Sequence, residues 1–164
     1  RDDPAGLPRR DHLRRLAHIW TKDPLFFVTT NTANRRPLLT LPGVPREIEL
    51  AWRAMDQVSG WIVGRYVILP DHVHFFVRAT GTRKRLEEAV RDWKKWTARR
   101  IAMLANIDSP IWQPEFFDHV LRSPSSYAQK WDYVRQNPVR AGLVTAPEEW
   151  PYAGEIASFR VRPL

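Results

Sequence analysis

The pattern of hydrophobic and polar positions predicts two kinds of element along the chain. Short runs rich in aromatic and β-branched residues predict four strands: LFFVTTNT (25–32), WIVGRYVILP (61–70), HVHFFVRA (72–79) and EFFDHVLR (115–122). Between the second and third strands, Pro70 and Asp71 form a tight turn, so these two strands are expected to make a hairpin.

Apolar residues at helical spacing predict three helices: VPREIELAWRAMDQVSG (44–60), RKRLEEAVRDWKKWTARRIAMLAN (83–106) and a stretch from about Ser125 to Asn137. The third helix is expected to end at Asn137, because Pro138 cannot continue the hydrogen-bond ladder. The order of strands and helices predicts an α+β fold, a ferredoxin-like (RRM-like) antiparallel sheet packed with helices.

Length and composition limit the class of protein. A chain of 164 residues is long enough for one domain with its own core, expected at about 25–152 with a tail at each end. The chain has no cysteine, which excludes disulfides and thiolate metal sites. It has neither a membrane-spanning apolar run nor a signal peptide at its start, so a soluble, cytoplasmic protein is expected.

The charge balance points to an anionic partner. The chain has 26 Lys and Arg against 18 Asp and Glu, a formal net charge of +8. Such a balance favours nucleic acid, although a solvated basic surface would give the same count.

Two histidines lie in a largely apolar strand. Because side chains alternate along a strand, His72 and His74 share one face, with Val73 on the other. Two such imidazoles can converge on one cation, or they can be hydrogen-bonded within a half-buried sheet. The pattern alone allows both interpretations.

A second group of polar residues lies far away in the sequence. Tyr133 and Asn137 are four residues apart and would lie on one helix face. If that helix crosses the histidine face, the amide oxygen of Asn137 is a third metal ligand beside the phenol. A core aromatic and a helix cap are the alternatives. Tyr127 precedes Trp131 by the same spacing, and an indole cannot ligate a metal, so of these two tyrosines only Tyr133 would stand beside a candidate ligand.

The donor set indicates which metals would fit. Two imidazoles and an amide oxygen with open positions suit Mg²⁺ or Mn²⁺ better than a closed structural zinc site, although they also accept Zn²⁺, Ni²⁺ or Co²⁺.

Four sequence blocks together resemble a known family. LPDHVHFFV, WKKWTARRI, IWQPEFFDHVLR and YVRQNPVRAGLV followed by PEEWPY are similar to the HUH single-strand DNA transposases of the IS200-like group, and most of all to the REP-associated tyrosine transposases. The resemblance runs from about residue 25 to 152, in the right order. It implies the HUH endonuclease fold.

The resemblance also implies roles for single residues. His72 and His74 match the metal-binding HUH pair, Tyr133 matches the nucleophile and Asn137 matches the third ligand. In such enzymes the tyrosine attacks a phosphodiester of single-stranded DNA beside a hairpin of a repetitive extragenic palindrome (REP), leaving a 5′-phosphotyrosine and a free 3′-hydroxyl. Family members are bacterial proteins that work on DNA in the cytoplasm, as monomers or homodimers.

Further basic residues are candidates for contact with DNA: Lys94, Lys95, Arg99, Arg100, His119 and Arg140. A solvated helix face or a packed strand histidine is the alternative for each. Two other functions also stay open. The chain could be a domesticated protein that binds structured DNA without transposition, or a metal-dependent phosphohydrolase or RNA-binding module with a coincidental tyrosine.

Overall fold

Five antiparallel strands form one sheet in the computed structural model, which describes residues 24–80 and 83–159. The strands are β1 (Leu25–Asn31), β2 (Trp61–Ile68), β3 (His72–Ala79), β4 (Phe117–Leu121) and β5 (Ala153–Glu155). Their order across the sheet is β4-β1-β3-β2-β5, and each neighbouring pair is antiparallel. This is the predicted ferredoxin-like α+β fold with one short strand added at an edge.

Helices cover both faces of the sheet. Within the described residues the α-helices are α1 (Val44–Ser59), α2 (Leu86–Ala105), α3 (Pro124–Val134) and α4 (Asn137–Arg140). α1 and α2 pack on one face around Trp52 and Trp93, whose rings stack at 5.7 Å. α3 packs on the other face, where Tyr127 contacts Phe76. We call this second face the α3 face.

The alternation along β3 agrees with the prediction. Val73, Phe75 and Val77 are buried in the core under α1 and α2, while Phe76 belongs to the core under α3. Since His74 has the same parity as Phe76, it lies on the α3 face. The strand is therefore apolar on one side for packing and partly polar on the other.

The turn between β2 and β3 is held by the segment after β1. Thr32 donates to the carbonyl oxygen of Asp71 through its amide, at 2.9 Å, and through its hydroxyl, at 3.1 Å. The amide of Leu39 donates to the carbonyl of Pro70 at 2.9 Å. These bonds fix the start of β3, where His72 lies.

The third helix ends earlier than predicted, and the prediction of one continuous helix as far as Asn137 is wrong. α3 stops at Val134, and Asn137 begins the separate short helix α4, in which Pro138 occupies a first-turn position. Pro138 has no N–H to donate back into α3, which breaks the ladder, yet Pro is well suited to start a helix. Asn137 is therefore at a helix beginning rather than at the predicted C-terminal edge.

The fold also extends past the boundary predicted at residue 152. β5 pairs with β2, and Phe159 packs against the core on the α3 face. A side chain at Gly64, beside the β2 bulge, would collide with the Phe159 ring unless that ring moved. The predicted N-terminal tail and the last five residues of the predicted C-terminal tail lie outside the described residues. In the described part, no helix has the length and apolarity needed to cross a bilayer.

Candidate active site

A cavity of about 440 Å³ opens on the α3 face between β3 and the helices α3 and α4. The residues that line it include His72, His74, Lys130, Tyr133, Asn137 and Arg140. All four side chains predicted for catalysis and metal binding are thus brought together, although about sixty residues of sequence separate the histidines from the tyrosine. The two groups meet because α3 crosses the sheet over β3.

The two imidazoles are held at right angles to each other. Their ring centres are 4.8 Å apart with an interplanar angle of 81°. The Nδ1 atom of His72 lies 2.7 Å from the Asp71 carboxylate, and the Nδ1 atom of His74 lies 2.8 Å from the Thr29 hydroxyl. When each Nδ1 carries the proton and donates it to its neighbour, both Nε2 lone pairs are free to bind a ligand.

Burial keeps one imidazole neutral. Desolvation first, then the charge of His72 and of the nearby cations Lys130, Arg140 and Arg35, lowers the pKa of His74 to about 3. His74 therefore presents a neutral ring at physiological pH. The ring also stacks on Phe27, with centres 5.2 Å apart, which fixes its orientation.

The carboxylate next to His72 is ionised and shared. Burial alone would raise the pKa of Asp71, but hydrogen bonds from His72 and Arg35, together with their charges, lower it below its usual value. The Nε atom of Arg35 donates to the second carboxylate oxygen at 2.9 Å. Asp71 thus orients His72 and is itself oriented by Arg35.

The two tyrosines of α3 have opposite environments. Tyr133 is 61% exposed at the cavity, whereas Tyr127 is 7% exposed and packs on Phe76. Burial raises the pKa of Tyr127 to about 12. An attacking group must reach its substrate, so of these two residues only Tyr133 is placed for that role.

Arg140 covers one side of Tyr133. Its guanidinium lies 4.1 Å from the centre of the Tyr133 ring and donates to the Tyr133 carbonyl at 2.6 Å. The same guanidinium also donates to the amide oxygen of Asn137. Arg140 is therefore bound to the very oxygen that was predicted as a metal ligand.

The donors of the cavity fit a divalent ion, with one competing contact. Two imidazole Nε2 atoms and the Asn137 amide oxygen are neutral nitrogen and oxygen donors of the kind that such ions accept. Among the described residues no cluster of three His, Cys, Asp or Glu side chains is present, so the set depends on the amide. An ion bound there would compete with Arg140 for the Asn137 oxygen.

The other predicted DNA contacts lie away from this cavity. Lys94 points into the protein, where its Nζ donates to the carbonyls of Gln113, Pro114 and Glu115 at 2.8, 3.2 and 2.6 Å. Arg100 pairs with Glu47 at 3.2 Å on α1.

The last three candidates are exposed: Lys95, Arg99 and His119. His119 lies on the outer strand β4 directly opposite Phe27, so it shares the α3 face without lining the cavity. Lys95 and Arg99 belong to α2, on the other side of the sheet.

Three residues of the site were not singled out by the sequence pattern. The sequence pattern predicts Asp71 only as a turn residue, although a carboxylate beside a histidine is a signal for an orienting pair. Lys130 precedes Tyr133 by one helical turn, which is also visible in the sequence. Thr29 contacts His74 only through the register of β1 on β3, which no local pattern reveals.

Comparisons with known proteins agree with this architecture. The chain is 26% identical over 137 residues to the REP-associated tyrosine transposase of Escherichia coli K12, covering 82% of this chain and 78% of that protein. A solved REP-associated tyrosine transposase bound to a REP hairpin has a TM-score of 0.65 and 25% identity, covering 79% of this chain and 75% of that one. A solved protein of Deinococcus radiodurans shares the fold, with a TM-score of 0.53 and 20% identity over 70% of this chain and 90% of its own. No family model matches the chain.

Proposed function

We propose that this chain, a relative of the REP-associated tyrosine transposases in sequence and in fold, is a metal-dependent endonuclease and strand transferase for single-stranded DNA. One observation carries the proposal. The exposed phenol of Tyr133 and the imidazoles of His72 and His74 line the same cavity, with the Asn137 amide beside them. A nucleophile next to an open set of neutral metal donors is the arrangement that phosphodiester transfer needs.

The reaction exchanges one phosphodiester for another. The Oη atom of Tyr133 forms a bond to the scissile phosphorus as the bond from phosphorus to the 3′-oxygen breaks. The phenol releases one proton to water, and the leaving 3′-oxygen takes up one proton, so the proton count is unchanged. A 5′-phosphotyrosine and a free 3′-hydroxyl result, and no nucleotide cofactor is needed because the two esters are similar in energy.

Each residue of the candidate site has a separate role in the proposed reaction. His72 and His74 would hold Mg²⁺ or Mn²⁺ through Nε2, oriented by Asp71 and Thr29, with Asn137 as third ligand. When bound, such an ion supplies positive charge to the nonbridging phosphate oxygens. Arg140, once it releases Asn137, is free to contact the DNA backbone.

The substrate class follows from the relatives and the charge. The solved relative named above is bound to a REP hairpin, and the present chain has a net charge of +8. Single-stranded DNA with a REP-type hairpin is therefore the proposed partner.

The test is a denaturing gel with labelled hairpin oligonucleotides, in Mg²⁺, in Mn²⁺ or with chelator. Wild type and Tyr127→Phe are expected to form a metal-dependent, protease-sensitive DNA–protein band. Tyr133→Phe is expected to form none, because it lacks the attacking oxygen. Tight binding with no band on any hairpin would favour a binding protein without transposition. Free cleaved product from Tyr133→Phe would indicate a nuclease that uses water.

A further inference from the structure

Lys130 lies in the candidate active site, near the proposed nucleophile Tyr133. It belongs to α3, one turn before Tyr133. Its Nζ is 4.6 Å from the centre of the Phe27 ring and 5.8 Å from the centre of the Tyr133 ring. The side chain is half-buried and lines the same cavity as His72 and His74. The ammonium group is therefore close to the Tyr133 ring and faces the same cavity as the imidazoles.

The ammonium group of Lys130 has no ion-pair partner in the part of the chain that the structure describes. No carboxylate there forms an ion pair with Lys130. By contrast, Lys84 is paired with Asp92 at 2.8 Å. Arg140, which also lines the cavity, has the same sign as Lys130. Holding like charges together in a partly desolvated cavity is unfavourable unless an anion joins them.

We propose that Lys130 is a further catalytic residue, whose ammonium group binds a nonbridging oxygen of the scissile phosphate. This inference rests on the proposed function, because the anion is the phosphate that Tyr133 attacks. A lysine is a compact point charge with three donors, and negative charge on the nonbridging oxygens is what the protein must stabilise during transfer. Lys130 forms no covalent bond in this step.

A structural role for Lys130 makes different predictions. A cation–π contact with Phe27 would stabilise the folded chain. If this were the whole role, the loss of Lys130 would lower the free energy of unfolding and leave the rate of the chemical step unchanged. The two roles are therefore separated by measuring the rate and the stability of the same variants.

The first measurement is the single-turnover rate of covalent adduct formation at saturating hairpin DNA. We expect Lys130→Met to lower this rate about 100-fold, the loss typical of one preorganised charge-stabilising donor, and Lys130→Arg to recover most of it. The control is Arg91→Met, which removes an exposed cation of α2 on the other side of the sheet and should leave the rate unchanged. Thermal unfolding of each variant reports its stability.

The second measurement asks which phosphate Lys130 contacts. In the Tyr133→Phe background, which cannot cleave, the linkage at which wild type forms its adduct is replaced by a neutral methylphosphonate. We expect this change to weaken binding about tenfold when Lys130 is present and about threefold or less in Lys130→Met, because the partner of the lost charge is already missing. A methylphosphonate two linkages away should affect both proteins equally.

The outcomes separate the two proposals. If wild type forms no adduct, the proposed function fails and the role of Lys130 fails with it. If wild type forms the adduct and Lys130→Met matches its rate, only the role of Lys130 is overturned. Equal losses on methylphosphonate substitution with and without Lys130 would likewise overturn it, whatever the rate.

Discussion

Each predicted metal-binding histidine is oriented by a different neighbour. His74 contacts Thr29 across the sheet, while His72 contacts Asp71, the residue just before it. The first pair depends on strand register, and the second depends on the turn that Thr32 holds in place. Of the two partners, only Asp71 brings a negative charge close to the donor set.

We predict that Asp71→Asn lowers affinity for Mn²⁺ by about 10- to 100-fold, the usual effect of losing a partner that orients a ligand. The variant removes the charge but keeps the shape, so the fold should be retained. Isothermal titration of Mn²⁺ into the protein measures the change. Asp132→Asn, an exposed change on α3, is the control and should not alter affinity. Equal affinity in Asp71→Asn and wild type would show that His72 needs no carboxylate.

At the scale of elements, one lysine joins α2 to the segment before β4. Lys94 leaves α2 and binds three successive carbonyls, those of residues 113–115. Burial lowers its pKa to about 8, an effect that Glu115 partly offsets. These contacts place Lys94 in a structural role within the described chain, and its predicted contact with DNA stays a prediction.

We predict that Lys94→Met lowers the free energy of unfolding by about 1–3 kcal/mol at pH 7, because it leaves carbonyls without a donor. Lys95→Met, one residue along and exposed, should change it by less than about 0.5 kcal/mol. Urea unfolding measures both.

The difference in stability between wild type and Lys94→Met should also depend on pH. The folded pKa of Lys94 lies below the unfolded value, so between about pH 8 and 10.5 the unfolded chain binds more protons. Stability of wild type relative to Lys94→Met should therefore rise across that range. A loss of hairpin affinity in Lys94→Met without a loss of stability would contradict the structural role.

Elements differ in how far the sequence alone could predict them. The long amphipathic pattern of α2 and the β2–β3 hairpin agree closely with the structure, because repeated local spacing specifies them. The break after Val134 was missed, since Pro138 can end one helix or begin another and the sequence does not distinguish these. β5 was missed because three residues are too few to form a pattern and because its stability comes from pairing with β2.

In the candidate site, too, the sequence predicts some features and not others. The HxH spacing and the spacing of Tyr133 and Asn137 were enough to nominate the residues. The two groups meet only because α3 crosses β3. The family resemblance implies this crossing, whereas no local sequence pattern predicts it. The contact of Arg140 with Asn137 needs side-chain coordinates.

Over the whole molecule, the predicted DNA contacts fall on opposite sides of the sheet. Arg140 and His119 belong to the α3 face, whereas Lys95 and Arg99 are exposed on α2 across the sheet. The sheet and its covering helices separate these groups. A short single strand in the cavity could not contact both, so any binding by α2 would involve a different segment of DNA.

The charges around the cavity also favour an anion over a lone cation. The three proposed metal donors bring no negative charge, and Lys130 and Arg140 line the same space. The carboxylate of Asp71 is paired with Arg35 at 2.9 Å, which offsets its negative charge. A divalent ion bound in the free protein would be opposed by these positive charges and would compete with Arg140 for the Asn137 oxygen. A DNA phosphate would supply the missing negative charge and give Arg140 another partner.

We therefore predict that metal and DNA bind cooperatively. Hairpin DNA should raise the affinity of Tyr133→Phe protein for Mn²⁺ at least about tenfold, and by linkage Mn²⁺ should raise its affinity for the hairpin by the same factor. Titrations of Mn²⁺ with and without hairpin, and of hairpin with and without Mn²⁺, measure both sides of the cycle. A hairpin with a methylphosphonate at the scissile linkage should show a weaker effect. Equal Mn²⁺ affinity with and without DNA would mean that the neutral donors suffice and that the surrounding cations do not oppose the ion.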